Sequence, residues 1–530
     1  MKILWKQKMI NVIIDQIKSF RAELYELIYK RRDAAMDLID SLCSNIDVDS
    51  VIKLSLSDVF RRKYSSIVDA ISNFFPSVNK PEQLKNIELQ DKGLNNLVLN
   101  LIPSEDTRGY VLFGLDCTPI SRPFSFKLED RHVTYKPNPI LNNKPITIGH
   151  SLSAVVYLPY PGVNSWVLPI SMNRVSSNEK GADVGLTKIT DILENPTLND
   201  KLVVAVGDTN YSTRSCQKIS SQKDNLVLLT RASSNRKLFY QPDKSLLKKS
   251  GHPKWYGDAM ILSDEKTHRS ANYEDKIERV TSKGKTLTIK ISCWYDMLMK
   301  SHKTFATHQY PFTLVRVCAN DSEGKDIYKK PLWLMVFGKK RTELKAKEIY
   351  DNYCQRYDIE HFFRFAKQRL LLESYQTPEV KHEETWWQFV KLAYVQLFLC
   401  KELSEKLPNP WEVYLPNYKG DSQSTPSQVL RDFKRLVNQE IGTPAKECKP
   451  RGKSLGRKKG YKPQERLTKT IVLKKKSKKI ITPEIDKSAS LTKPKSYSKV
   501  LEKITGLIEK NGMSISDFLK KAYSELPVSI

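Results

Sequence analysis

Tyr353-Cys-Gln-Arg356-Tyr-Asp-Ile-Glu360-His-Phe-Phe-Arg-Phe-Ala-Lys367 is the stretch from which the rest of the chain can be read. It lies in a helical pattern from about Glu343 to Glu373 that contains neither Pro nor Gly. At about 100° per residue, Tyr353, Arg356, Glu360 and Lys367 fall within roughly 60° of one another on the helix wheel. Ile359, Phe362, Phe363, Ala366 and Leu370 fill the adjoining arc, and Phe365 stands apart. An acid, two cations and a phenol therefore follow one edge of an apolar stripe, whereas a solvated face would scatter its charges away from the buried side. This pattern predicts a carboxylate at the floor of a cleft, with cations ready for an anion. The bland alternative is an i, i+4 pair between Arg356 and Glu360 that stabilises the helix by a few tenths of a kcal/mol.

Upstream, two short apolar runs each end in an aspartate. Tyr110-Val-Leu-Phe-Gly-Leu115 leads into Asp116, and Leu202-Val-Val-Ala-Val-Gly207 leads into Asp208. Pro145–Leu158 and Trp166–Ile170 read as further strands, Val184–Leu193 and Thr209–Ile219 as helices, and Leu226–Leu229 as another strand. Strands alternating with helices predict an α/β core, whose functional groups gather at the carboxyl ends of strands. A lone Asp after a strand is ordinarily a turn former or N-cap. Two of them, followed by a glutamate in a helix face, suggest more. Three carboxylates converging in a cleft repel one another unless a divalent cation lies between them, and Mg²⁺ prefers such an oxygen-rich setting.

Composition narrows the partner. At 530 residues the chain exceeds a single core, and roughly two to four domains are expected. Its apolar fraction of 40% is enough to fold, and its net charge of +29 points to a polyanion, most commonly nucleic acid. No apolar run of about 18 residues is present to span a bilayer. The N-terminal MKILWKQKMINVIIDQIKSF interleaves charges and has no signal-peptide core. Eight cysteines stand singly without a CxxC pair, and the eight histidines are equally dispersed. That spacing argues against zinc ribbons and disulfide frameworks. A cytoplasmic protein is expected, with any metal on oxygen ligands.

Five segments follow from the pattern. Residues 1–95 read as a helical domain, in which Ser57–Asp58 forms an N-cap before Val59-Phe60-Arg61-Arg62-Lys63. This basic helix start suits a helix-turn-helix-like DNA reader or a plain helical bundle. Residues 96–232 and 341–405 make up the α/β core, and Thr385–Leu403 within it is a strongly apolar helix. Between them, 233–340 is a mainly β insertion with strands at Thr286–Tyr295, Phe312–Cys318 and Pro331–Phe337. Residues 406–530 form a basic C-terminal region, densest at Lys449–Gly460 and Leu473–Lys479. Its Lys-rich part is expected either to order on a phosphate backbone or to serve as a solubilising tail. Two short helices are expected near the end.

Asp116 in GLDCTPISRP, Asp208 in VVAVGDTNYS and the YxxRxxxExxxxxxK run from Tyr353 to Lys367 together resemble the DDE transposases of bacterial insertion sequences. The group resembled is the one with a Tyr-Arg-Glu-Lys signature around the last carboxylate. The resemblance covers about residues 108–400; the N-terminal helices and the tail match in character only. It implies an RNase H-like core, a mixed five-stranded sheet with flanking helices, interrupted by the β-rich insertion. It implies Asp116, Asp208 and Glu360 as catalytic ligands for two Mg²⁺ (or Mn²⁺) ions. Tyr353, Arg356 and Lys367 would hold phosphates of the transposon end, and Arg122 and Lys136, after Asp116, are expected on the DNA backbone. A homodimer synapsing terminal inverted repeats, with Mg²⁺-dependent cleavage and strand transfer, is the implied activity. Trp294 and Trp333 are candidates to receive a flipped base, although each reads first as an ordinary buried Trp. A transposase-derived DNA-binding protein without catalysis, or an RNase H-like nuclease that cuts without joining, are the alternatives.

Overall fold

The computed structural model describes residues 2–473, leaving out 78–80, 105–106, 136–144, 162–163, 244–253, 282–283, 302–304, 415–422, 449–455, 457–459 and 463–464. Four helices come first: α1 (Lys2–Leu27), α2 (Arg32–Cys43), α3 (Ser65–Asn73) and α4 (Pro81–Leu99). Next come β1 (Tyr110–Ser121), β2 (His132–Tyr135), β3 (Ile146–Tyr157) and β4 (Leu168–Val175). α5 (Gly181–Ile192), β5 (Leu202–Gly207), α6 (Arg214–Gln222) and β6 (Leu226–Ala232) follow. Six further strands are β7 (Lys237–Phe239), β8 (Ala259–Ile261), β9 (Tyr273–Val280), β10 (Thr286–Met297), β11 (Phe312–Asp321) and β12 (Leu332–Phe337). Then come α7 (Ala346–Gln355), α8 (Tyr357–Gln368), α9 (Val380–Lys406) and α10 (Pro426–Leu436).

The two apolar runs lie side by side. β1 pairs in parallel with β5, with Leu115 opposite Gly207, and β5 pairs in parallel with β6. On the other side β3 runs antiparallel to β1, and β4 antiparallel to β3. The order β4-β3-β1-β5-β6 is a mixed five-stranded sheet with flanking helices, consistent with the expected RNase H-like core. The central strands are apolar throughout because helices cover both faces. Gly114 sits beneath Ile359 of α8, and Cys117, on the opposite face of β1, lies against Gly181 at the start of α5.

The β-rich insertion is not a separate layer. The antiparallel strands β12, β11, β10 and β9 continue the same sheet outward from β6, giving the order β2-β3-β1-β5-β6-β12-β11-β10-β9. Pairing with β12 satisfies the backbone groups that β6 would otherwise leave open. Among the described residues β7 and β8 form a separate two-stranded sheet.

The N-terminal helices share a core with the rest, because α1, α2 and α3 pack on α9. Buried Arg21 of α1 donates to both carboxylate oxygens of Asp40 in α2, at 2.7 and 2.8 Å, and also to Gln396 of α9. The expected helix start at Val59 is absent; these residues lie between a 3-10 turn (Ile52–Leu56) and α3. Arg61 and Arg62 are drawn to the buried carboxylate of Asp37, at 2.6 and 3.2 Å, which anchors this connection to α2.

The expected single helix over about 343–373 is also corrected. It is split into α7 and α8 with Arg356 at the join. There the Arg356 N–H is shared between Asn352 O and Tyr353 O, and the Ile359 N–H donates to Arg356 O, three residues back. The ladder therefore tightens locally, a departure that recurs at functional positions. Beyond Lys449 the dense basic stretches and the terminal helices fall almost entirely outside the described residues. No helix among the described residues is long and apolar enough to cross a membrane.

Gly149 of β3 marks a close approach: a Cβ there would lie 2.0 Å from the carbonyl oxygen of Ile120 in β1. Gly149→Ala is expected to destabilise the protein by about 1–3 kcal/mol, the usual cost of overpacking. Urea unfolding checks it, and an unchanged midpoint would contradict this register.

Candidate active site

Leu115 and Gly207 are the last pair between the parallel strands β1 and β5. Asp208 follows the end of β5, whereas Asp116, expected to terminate its strand, lies within β1, which runs on to Ser121 paired with β3. Asp116 shares a face of β1 with Gly114, two residues before it, and that face looks toward α8. A Cβ on residue 114 would lie 2.4 Å from Cδ1 of Ile359, so the glycine lets α8 settle close onto β1. The helix thereby brings its charged edge over Asp116.

Arg356 joins the two elements. Its Nη1 donates to Oδ2 of Asp116 at 2.8 Å and its Nη2 donates to Oε1 of Glu360 at 2.9 Å. The Asp116 side chain is 16% exposed and that of Glu360 42%, so one carboxylate is recessed and the other faces the opening. Asp208 is held differently. Its Oδ1 accepts from the Asn210 backbone N–H at 2.9 Å and its Oδ2 from the Asn210 side-chain amide at 2.8 Å. Asp208 is thus both the N-cap of a short turn and a member of the acidic edge.

Electrostatics reflect this proximity. Burial pushes the Asp116 carboxyl up to about 6; Arg356 and the Cys117 N–H oppose the rise, and Asp208 and Glu360 add to it. Tyr353 is raised by burial, partly offset by the nearby charges of Arg356 and Arg231. Lys367, at the far end of the same arc, donates to the carbonyl oxygen of Pro119 in β1 at 2.7 Å and pairs with Glu373 at 2.8 Å. Arg356 and Lys367 therefore reach β1, while Tyr353 lies near Arg356 and Arg231 of β6.

The donor set is three carboxylates without a thiol or imidazole, which suits a hard divalent cation. Among the described residues no group of three acidic, His or Cys side chains is already arranged to hold a metal. The Arg356 guanidinium instead engages one oxygen of Asp116 and one of Glu360.

Other expectations fare differently. Arg122, expected on a DNA backbone, is 1% exposed and forms an ion pair with buried Glu383 of α9 at 2.7 Å. It also donates to the carbonyl oxygens of Ser121, Glu373 and Tyr375, pinning the chain after α8 to the end of β1. A guanidinium so enclosed has no donor left to face a phosphate. Lys136 lies outside the described residues. Trp294 and Trp333 are buried and pack on each other with ring centroids 5.7 Å apart, so the ordinary reading holds in this structure. Arg231 was not singled out by the sequence. It is exposed, follows the Thr230 that pairs with Gly207 in β6, and its charge acts on Tyr353. A cation at the carboxyl end of the third parallel strand was the available signal.

A family model described as Transposase DDE domain matches residues 168–396. Over that span the chain is similar to a transposase DDE domain. The match supports a DDE transposase and includes Asp208, Tyr353, Arg356, Glu360 and Lys367, while Asp116 lies upstream of it. No curated protein matches the chain.

Two expectations follow. The raised Asp116 pKa means the folded state holds that proton more tightly than the unfolded chain. The resulting stabilisation is full below the ordinary 3.8 and is lost as pH rises through about 6. In metal-free buffer, the stability of wild type relative to Asp116→Asn should therefore increase as pH falls across that window, read by urea unfolding; a flat difference would contradict the burial. Separately, Glu383→Ala strands Arg122 and should cost about 3–5 kcal/mol in the same assay.

Proposed function

We propose that this protein is a catalytically competent transposase that binds the terminal inverted repeats of an insertion sequence and cuts and joins DNA with a divalent metal. The carrying observation is the bridge by which Arg356 holds Glu360 together with Asp116, which lies 240 residues before the arginine in the chain, beside Asp208. In this reading Asp116, Asp208 and Glu360 hold Mg²⁺ or Mn²⁺. Two such ions, when bound, supply an activated water or 3′-hydroxyl and charge stabilisation for the leaving oxygen. Asp208, fixed by Asn210, is the preset ligand; Asp116 brings a recessed charge from the sheet, and Glu360 completes the set from the helix. Tyr353, Arg356 and Lys367 orient phosphates of the DNA end, along the edge that carries Glu360. The net charge of +29 favours encounter with duplex DNA. The protein acts as a homodimer that synapses two ends.

Asp116→Asn, Asp208→Asn and Glu360→Gln are each expected to lower Mg²⁺-dependent nicking and strand transfer while leaving end binding intact. The loss should exceed the roughly 10–100-fold that follows removal of a group behind a metal ligand. Full strand transfer by any of the three variants would falsify the reading. Cutting without joining by the wild type would indicate a nuclease instead, and binding without cutting in Mg²⁺ or Mn²⁺ a non-catalytic DNA-binding protein. Short inverted repeats bracketing the coding region would support the transposase class directly.

A further inference from the structure

We propose that Arg356 is an internal counter-ion that competes with divalent metal for Asp116 and Glu360, and that a DNA phosphate draws it away, so that DNA and metal bind cooperatively. This rests on the reading above of the three carboxylates as metal ligands.

The geometry carries it. The two terminal nitrogens of one guanidinium are divided between two carboxylates, one on a strand and one on a helix, at 2.8 and 2.9 Å. A cation in that place does for the acids what a metal would do: it offsets their mutual repulsion. It also blocks them. A metal approaching the site finds Asp208 with its oxygens fixed by Asn210, and two partners already engaged. Nothing in Asp208's surroundings ties it to Arg356 by a hydrogen bond, so the competition falls on Asp116 and Glu360.

Phosphate is the natural competitor for the arginine. A guanidinium presents the same planar fork to phosphate as to carboxylate, and is weakly hydrated enough to exchange between them. It cannot span Asp116 and Glu360 and grip a phosphate with the same fork. Engagement of a phosphate therefore frees the two carboxylates and leaves an acidic set that a divalent ion satisfies. Arg356 also sits at the joint of α7 and α8, not within either helix. Re-aiming its side chain does not dismantle a helical turn. The device would keep the acids neutralised in the free protein and make the metal site available where DNA is present.

The test is a Mn²⁺ titration of the full-length protein, followed by electron paramagnetic resonance, with and without duplex DNA and corrected for ions held by DNA alone. Wild type should bind Mn²⁺ about tenfold more tightly when DNA is bound, within the usual span of coupling between sites. Reciprocity requires Mn²⁺ to tighten DNA binding by the same factor. Arg356→Gln, which removes the competing charge, should bind Mn²⁺ without DNA about as tightly as wild type does with it, and the coupling should vanish. Arg356→Lys, a point charge that does not fork, should fall between. Equal Mn²⁺ affinity of wild type with and without DNA overturns the proposal, and that measurement needs no variant to fold. Equal affinity of DNA-free wild type and Arg356→Gln overturns it too. Asp116→Asn separates the two levels of inference. If it leaves Mn²⁺ binding unchanged in every form, the metal-site reading itself fails. If it abolishes binding while wild type shows no coupling, only the counter-ion proposal fails.

Discussion

Carboxylates brought together between a strand and the helix laid over it repel one another, and the structure around them is arranged to tolerate that. Two like charges about 4 Å apart cost roughly 4 kcal/mol at an effective dielectric near 20, which is a large part of a domain's stability. A single guanidinium offsets the repulsion between Asp116 and Glu360 by hydrogen-bonding to both. α8 is laid along β1 by further ties of the same kind. Lys367 reaches Pro119, and Arg122 holds the chain beyond Glu373 against the end of the strand. The apolar counterpart is Ile359 seated over Gly114. Polar and apolar contacts thus agree on one position for the helix.

The sheet supplies the rigidity those ties require. Its parallel centre, β1, β5 and β6, is enclosed by α5 and α6 and by α7 and α8. Asp208 emerges where β5 ends, while Asp116 leaves β1 just past its last pairing with β5. The long run of added strands beyond β6 extends this support and gives α7 a surface to pack on. On the other side α9, buried without a break from Thr385 to Phe398, links β4 to the N-terminal helices. A displacement at the helical end would therefore be felt by the sheet that carries Asp116.

Much of this was legible in sequence, and the reasons are physical. A central strand in a covered sheet must be apolar throughout, so the aspartates at positions 116 and 208 stood out as the points where that constraint ends. A helix face has a fixed angular period, so the alignment of Tyr353, Arg356, Glu360 and Lys367 could be computed without coordinates. What was not legible depends on partners distant in the chain. Arg122 looks like any basic residue in a loop until Glu383, more than 250 residues later, encloses it. The break at Arg356 has no Pro or Gly to announce it, and the tightened turn coincides with a side chain that bonds in two directions. The insertion's strands were visible as strands, but nothing local says whether they stack as a new layer or lengthen an existing sheet. Arg61 and Arg62 read as a basic surface because the buried carboxylate of Asp37 that binds them belongs to a different helix.

The separation of 240 residues between Asp116 and Arg356 has a consequence during synthesis. At ribosomal speeds of about 5–20 residues per second, the strand bearing the first aspartate waits on the order of tens of seconds for the helix that completes its surroundings. Over that interval the nascent polypeptide carries Asp116 without Arg356, its partner, or Glu360, which shares that partner. Any property that depends on this cluster is thus withheld from the growing chain by the order in which its parts are translated.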